Sequence, residues 1–176
     1  MLLFWPCLWG LALAFHQTGE FRLFINYIIL FFLGSVLMRS AGCIFNDIAD
    51  KDFDKKVNRT KNRPISSGRI STQESFVYII LLCLVAFIIL IQFNFLTIIL
   101  GLLSIPFVFS YPYMKRLTYW PQFFLGLTFN WGIFLGWTAL KGEISLEPIL
   151  LYIAAIFWTL GYDTIYGFQD IYDDEI

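Results

Sequence analysis

The sequence predicts an all-α, polytopic membrane helix bundle, and three observations carry that prediction. Of 176 residues, 59% are hydrophobic and only 14% charged, with 20 phenylalanines among them; a soluble domain of this size carries about 25% charged residues. The apolar residues gather into runs of membrane-spanning length separated by short polar breaks. The few cations crowd into alternate breaks. Lipid offers the backbone no hydrogen-bond partner, so each run must satisfy its own amides as a helix.

The first run, "MLLFWPCLWGLALAF", has about 14 apolar residues, or ~21 Å of helix against the ~30 Å of a hydrocarbon core. It lacks a basic segment before the apolar stretch and holds Trp5 and Pro6 early, so it reads as a first transmembrane helix that starts late rather than a signal peptide. Five further runs follow, at residues 21–45, 76–93, 95–113, 122–140 and 148–168. Each is near the length a tilted helix needs to cross. Only "QFNF" separates the third helix from the fourth, but residues 76–113 are too many for one span, which demands a tight helical hairpin there. Six helices result, within a single domain over residues 1–176.

Charge gives the topology. The connection after the second helix carries Lys51, Lys55, Lys56, Arg59, Lys61, Arg63 and Arg69, and the break after the fourth carries Lys115 and Arg116. Together these are nine of the chain's 12 cations. By the positive-inside rule that face is cytoplasmic. The C-terminal "DIYDDEI", after helix six, falls on the same face. A net charge of −1 gives no support to a nucleic-acid partner. Cys7, Cys43 and Cys83 are odd in number and sit in apolar runs, so they read as small buried apolar residues. The single His16 lies in a polar break and is expected to be solvated at a membrane edge. No Gly-rich P-loop and no HExxH is present, and a Ser-His-Asp arrangement would rest on His16 alone.

The densest charge in the chain is "FNDIADKDFDKKVNRTKNRP" at residues 45–64. Asn46, Asp50 and Asp54 recur at four-residue spacing, which on a continuing helix stacks an amide and two carboxylates along one face. Taken alone, that cluster is also compatible with a solvated loop balanced by the lysines that follow. A second stripe, in "YDTIYGFQDIYDD", places Asp163, Asp170 and Asp174 on one helical face, with Tyr166 and Asp173 close to it. Asp163 lies within the apolar run, where an ionised carboxylate is expensive and usually functional. Calcium in an EF-hand is excluded, because counting from Asp50 the sixth position is Lys55 and the twelfth Lys61. Mg²⁺ suits such a site, being held by one or two carboxylates and sharing its other positions with waters and substrate phosphates.

Two acidic stripes on one membrane face therefore suggest a diphosphate clamped by Mg²⁺. Lys115, Arg116, Arg63 and Arg69 are placed to contact phosphate oxygens, although topology alone also collects cations on this face. Arg39 sits two helical turns before Asn46, at a depth where a cation needs a partner. That partner is either an anionic substrate group or one of the aspartates.

At these residues the chain resembles the UbiA-type membrane prenyltransferases, and within them the branch that prenylates 4-hydroxybenzoate in ubiquinone synthesis. The resemblance is carried by "MRSAGCIFNDIADKDFDKKVNRTKNRPISSG", by "YPYMKRLTYWPQFFLG" and by "YDTIYGFQDIYDD", with "LLFWPCLWGLALA" similar to the family's first helix. It implies a bundle of nine helices whose two aspartate motifs follow helices two and six and face a central cavity. In such enzymes Mg²⁺ at the aspartates holds a polyprenyl diphosphate, whose ionisation gives an allylic cation that alkylates the aromatic ring ortho to its hydroxyl.

By position, the resemblance makes Asn46, Asp50 and Asp54 the first metal site and Asp170 and Asp174 the second, with the four aspartates catalytic. It gives Asp163 a supporting role, Lys115 and Arg116 (with Arg63) the diphosphate, and Arg39 the acceptor's carboxylate. Tyr111, Tyr113, Trp137, Tyr162 and Tyr166 are candidate aromatic walls for a dry cavity that shelters a carbocation. Family members carry a basic segment before the first helix and three helices after the second motif, so the chain is expected to be part of a longer bundle. The expected location is a bacterial inner membrane, amid lipid, with the mitochondrial inner membrane as the alternative. Three other readings remain open: a different aromatic acceptor such as a naphthoate, homogentisate or porphyrin; an inactive remnant or assembly partner; and a small ion-coupled transporter.

Overall fold

The computed structural model describes residues 2–168. Among the described residues every regular element is helical: α1 (Phe4–Thr18), α2 (Phe21–Ala49), α3 (Lys51–Asp54), α4 (Thr72–Leu90), α5 (Phe95–Leu117), α6 (Pro121–Asn130), α7 (Gly132–Lys141) and α8 (Leu146–Gly167). Five stretches are long and apolar enough to cross a membrane: α2, α4, α5 through Met114, α6 with α7, and α8. The short α1 packs among them as the sixth helix.

Local chemistry sets where the helices begin and stop. α4 starts at Thr72, ahead of the first apolar run residue, because Ser71 and Glu74 form a capping box: the Ser71 hydroxyl accepts from the Glu74 amide at 3.1 Å, and Glu74 accepts from the Ser71 amide at 2.8 Å. Such a box satisfies two of the amides a helix start leaves open. α1 and α7 both end on left-handed glycines, Gly19 at φ 68° and Gly142 at φ 69°, the conformation glycine adopts without steric cost. α2 runs four residues beyond the apolar stretch, carrying Asn46 and Asp47 in its last turn.

The hairpin demanded by "QFNF" is present at residues 91–94. Asn94 caps α5 by accepting from the Thr97 amide at 3.0 Å. Its amide nitrogen donates to the Thr138 and Ala139 carbonyls near the C-terminal end of α7; the Thr138 carbonyl also accepts from the Gly142 amide at 2.8 Å. The Thr97 and Thr138 hydroxyls meet at 2.9 Å. Phe93, from the same turn, stacks on Phe31 at 4.6 Å and tilts against Tyr27 at 4.9 Å. This small polar knot thus ties the α4/α5 hairpin to α7 and, through Phe93, to α2.

The run at 122–140 differs from expectation: it is broken between α6 and α7 at Trp131. The Trp131 indole donates to the Leu100 carbonyl of α5 at 2.9 Å, and its ring packs on Phe107 and Phe134. Just before the break, the buried Asn130 donates to the Gly126 carbonyl at 3.0 Å and to the Thr159 hydroxyl of α8 at 2.8 Å. Interhelical hydrogen bonds of this kind supply specificity in lipid, where apolar packing alone discriminates poorly.

α1 and α7 approach almost backbone to backbone. A methyl group on Gly10 would lie 2.0 Å from the Ile133 carbonyl oxygen, and one on Gly136 would lie 2.0 Å from the Cys7 carbonyl oxygen. A methyl group on Gly132 would lie 2.6 Å from the Cys7 sulfur. Around this seam Leu11, Ala14, Ile133 and Trp137 are fully buried. The cysteines correct the sequence reading: Cys7 is buried as expected, Cys83 is only half-buried, and Cys43 is exposed on α2.

Gly136→Ala should therefore destabilise the bundle by about 1–3 kcal/mol, the usual range for overpacking a tight contact. Gly161→Ala, where an added methyl meets nothing within 4 Å, should be neutral or slightly stabilising as helix propensity favours alanine. Thermal unfolding of both variants in one detergent checks the contrast.

Candidate active site

The first acidic motif keeps its helical register through the end of α2. The Asp50 amide donates to the Asn46 carbonyl and the Asp54 amide to the Asp50 carbonyl, both at 2.9 Å, so Asn46, Asp50 and Asp54 occupy successive turns although Asp50 itself leaves helical geometry at φ −96°, ψ 4°. Asn46 and Asp50 are half-buried, whereas Asp54 is buried at 8% exposure.

Asp54 is held from the following connection. An Arg63 guanidinium nitrogen, Nη1, donates to Asp54 Oδ2 at 3.1 Å and to Asp47 Oδ1 at 2.9 Å. The Ser66 hydroxyl lies 3.5 Å from the same Asp54 oxygen, and the buried Thr60 hydroxyl donates to the Asp54 carbonyl at 3.0 Å. Ile65 and Ser66 are themselves buried, at 4% and 5% exposure. Residues 55–71 therefore form an ordered strap folded back on the motif. Asp52 points the other way, fully exposed, and the hydrogen-bonded Lys55 ammonium holds its carboxyl below the usual range. Arg69 donates within the strap, to the Asn62 carbonyl and the Ser67 hydroxyl.

Arg39, Asp50, Tyr162 and Asp163 lie within electrostatic reach of Tyr111 on α5, so α2, α5 and α8 bring their functional ends to one place. Arg39 is exposed on α2, and Asp163 and Tyr162 are half-buried on α8. Phe45 of α2 secures the α2/α5 junction, edge-on to Phe109 at 4.7 Å and to Tyr113 at 6.3 Å. Lys115 and Arg116 occupy the last turn of α5. Tyr166 is exposed and lines an open aromatic groove with Trp5, Trp9 and Trp158, which Tyr162 also lines. Trp137 is fully buried at the α1/α7 seam. Asp170, Asp173 and Asp174 lie outside the described residues.

An apolar cavity of about 190 Å³ runs from Met38 and Phe109, next to this cluster, toward Phe31 and Phe93, with Cys7 and Trp131 in its walls. Among the described residues, no three carboxylates, imidazoles or thiols converge as a ready-made metal cage. The donors of the first motif are amide and carboxylate oxygens, the hard set that Mg²⁺ takes a few at a time while keeping waters. They fit that ion.

A description of the UbiA prenyltransferase family matches residues 3–176. The chain belongs to the UbiA prenyltransferase family. It is 50% identical over 174 residues to "4-hydroxybenzoate polyprenyltransferase, mitochondrial" of Caenorhabditis elegans, across 98% of this chain and 48% of that protein. The human protein of the same description is 49% identical over 98% of the chain and 46% of its own length. The chain thus spans about half the length of these relatives. Among solved structures, a UbiA homologue from Aeropyrum pernix K1 superposes with a TM-score of 0.76 at 29% identity, over 98% of this chain and 64% of that one. The all-α UbiA architecture expected from the sequence is therefore shown.

Sequence reading passed over Asp47, Ser66 and the central place of Tyr111. Asp47 had a signal, since it follows Asn46 within the motif, but its spacing put it on another face. Tyr111 sits in the "YPYMKR" stretch before Pro112, which marked the segment without ranking its aromatics.

Phe45→Ala should loosen the α2/α5 junction, losing about 0.5–1.5 kcal/mol of ring-pair interaction beyond its buried area. Hydrogen exchange is the measurement: amides of residues 43–50 should exchange faster while those of the α1/α7 seam keep their protection.

Proposed function

We propose that this protein is, or forms part of, a Mg²⁺-dependent enzyme that transfers a polyprenyl group from polyprenyl diphosphate to the ring of 4-hydroxybenzoate, ortho to the hydroxyl, in ubiquinone synthesis. The observation that carries the proposal is that Arg39, Asp50 and Asp163 act electrostatically on Tyr111, with Asn46 one turn before Asp50, beside an apolar cavity. Relatives described as 4-hydroxybenzoate polyprenyltransferases support the acceptor.

Asn46, Asp50 and Asp54, with Asp170 and Asp174 of the second motif, would hold the metal, and Asp163 supports that second motif. When bound, Mg²⁺ supplies Lewis-acid neutralisation of the departing diphosphate. The chain's own residues do the rest. Lys115 and Arg116 offer cationic donors to the phosphate oxygens, and Arg63 is a third candidate for that role. Arg39 orients the acceptor through its carboxylate, which aims the hydroxyl and the adjacent ring carbon toward the diphosphate end of the donor. The apolar walls exclude water that would quench an allylic cation, and aromatic faces such as Tyr111, Tyr162 or Tyr166 stabilise positive charge. The proton released from the attacked ring carbon leaves toward the polar face, where carboxylates and water accept it.

The relatives' mitochondrial description supports the mitochondrial inner membrane over the bacterial inner membrane, with the acidic motifs on the strongly basic face of the lipid bilayer. A small transporter would need its acidic groups at midplane, whereas Asn46, Asp50 and Asp54 sit where α2 ends.

The test is prenyl transfer in membranes containing this chain, with 4-hydroxybenzoate and a polyprenyl diphosphate. Activity should require Mg²⁺ and vanish with a chelator, and Asp50→Ala and Asp170→Ala should each lower it by ~10²-fold or more. Transfer that survives both substitutions would overturn the mechanism. Arg39→Ala should raise KM for 4-hydroxybenzoate by ~10-fold or more, as loss of a charged hydrogen bond does, with donor KM unchanged. A panel of naphthoate, homogentisate and porphyrin acceptors decides the ring.

A further inference from the structure

Arg63 of the 55–71 strap reaches two acidic groups of the motif, by contacts at 2.9 and 3.1 Å. Both bonds leave from a single nitrogen, Nη1, and a guanidinium nitrogen has two N–H groups, so each hydrogen serves a different carboxylate. The two acceptors lie on opposite sides of the α2/α3 break: Asp47 is in the last turn of α2 and Asp54 ends α3. The carboxylates are the better-buried members of the cluster, with side chains 27% and 11% exposed against 39% for Arg63.

With Nη1 seated on two carboxylates, the acidic motif sets the orientation of the guanidinium plane, and the donors left for any other ligand are those of Nη2 and Nε. We infer that Arg63 is a positioning residue: it clasps Asp47 and Asp54 together, fixes the angle between α2 and α3, and thereby sets the aim of the Asn46-Asp50-Asp54 ladder. Asp47 is its anchor rather than a fourth ligand. The Thr60 and Ser66 hydroxyls on Asp54 and the buried Ile65 make the clasp part of the strap's own fold. An arginine is the fitting residue here, since two hydrogens on one planar nitrogen can be aimed in fixed directions, which a freely rotating ammonium does less well.

The consequence for metal binding rests on the reading of this motif proposed above; the clasp itself does not. Two measurements on the full chain in lipid nanodiscs separate them. In hydrogen exchange, Arg63→Ala and Asp47→Asn should each raise exchange at residues 47–66 at least tenfold, and the double variant should match Arg63→Ala, because that substitution already removes the Asp47 contact. Arg63→Lys should recover part of the protection, and Lys61→Ala, whose ammonium contacts only Asn58 in this loop, should have no effect. Additive effects of Arg63→Ala and Asp47→Asn, or none from Asp47→Asn, would overturn the clasp whether or not the metal reading holds.

The second measurement is Mn²⁺ binding followed by electron paramagnetic resonance, with no prenyl substrate present. A positioning role predicts at least a tenfold weaker Mn²⁺ affinity in both single variants. A diphosphate-contact role predicts unchanged Mn²⁺ affinity in Arg63→Ala together with a raised donor KM, and that pattern would overturn the inference. Should Arg63→Ala fail to fold, Asp47→Asn, which keeps the arginine on Asp54, carries both tests. A wild-type chain that binds no Mn²⁺ would count against the metal site and leave the exchange result to decide the clasp.

Discussion

The contact on which the rest of this bundle depends is the seam between α1 and α7. Two helix backbones approach there so closely that Gly10, Gly132 and Gly136 have no room for a methyl group. In water such a seam would be one contribution among many, but lipid tails are as apolar as leucine, so helices gain little from burying apolar surface on one another. Close backbone packing and interhelical hydrogen bonds must hold them instead. α7 consequently acts as the spine. Its C-terminal carbonyls receive Asn94 from the α4/α5 hairpin, while Trp131, at its N-terminal end, is bonded to α5.

That spine explains how a chain with so few polar groups to spare can afford a broken helix inside the membrane. A break exposes backbone groups that lipid cannot satisfy. Around Trp131 the neighbouring helices supply the order that the continuous ladder would have given: Asn130 bridges to Thr159, Tyr152 reaches the Leu127 carbonyl at 2.7 Å, and Trp131 is wedged among Phe107, Phe134 and Tyr152. The break also turns Trp131 toward the apolar cavity while Asn130 faces the α8 side. One segment thus contributes to a dry wall and to a polar tie.

The polar chemistry is kept at the other level of the bundle, where helices end. α2, α5 and α8 each deliver a charged or phenolic group to the vicinity of Tyr111, and the strap at 55–71 folds back over the acidic motif rather than extending into solvent. Under the function proposed above, the division serves the chemistry as well as the fold. Charge separation of a diphosphate needs metal, cations and hydrogen bonds at a wet mouth, whereas an allylic cation survives only where water is excluded. Met38 and Phe109 line the cavity within reach of that mouth, so the two environments adjoin without mixing.

The long helices and their order were legible in the sequence, because lipid forces each apolar run of sufficient length to satisfy its own backbone. So was the helical spacing of Asn46, Asp50 and Asp54, since it depends on residues a few positions apart. What only the tertiary structure decided are the features that join distant parts of the chain. The pairing of Arg63 with Asp47 crosses 16 residues, and the tie from Asn94 to Ala139 crosses 45. Local spacing holds no record of which cation folds back to which carboxylate, or which aromatic among many comes to stand between three helix ends. Those choices are made by packing, where the glycine seam fixes how near the helices come and so which side chains can meet.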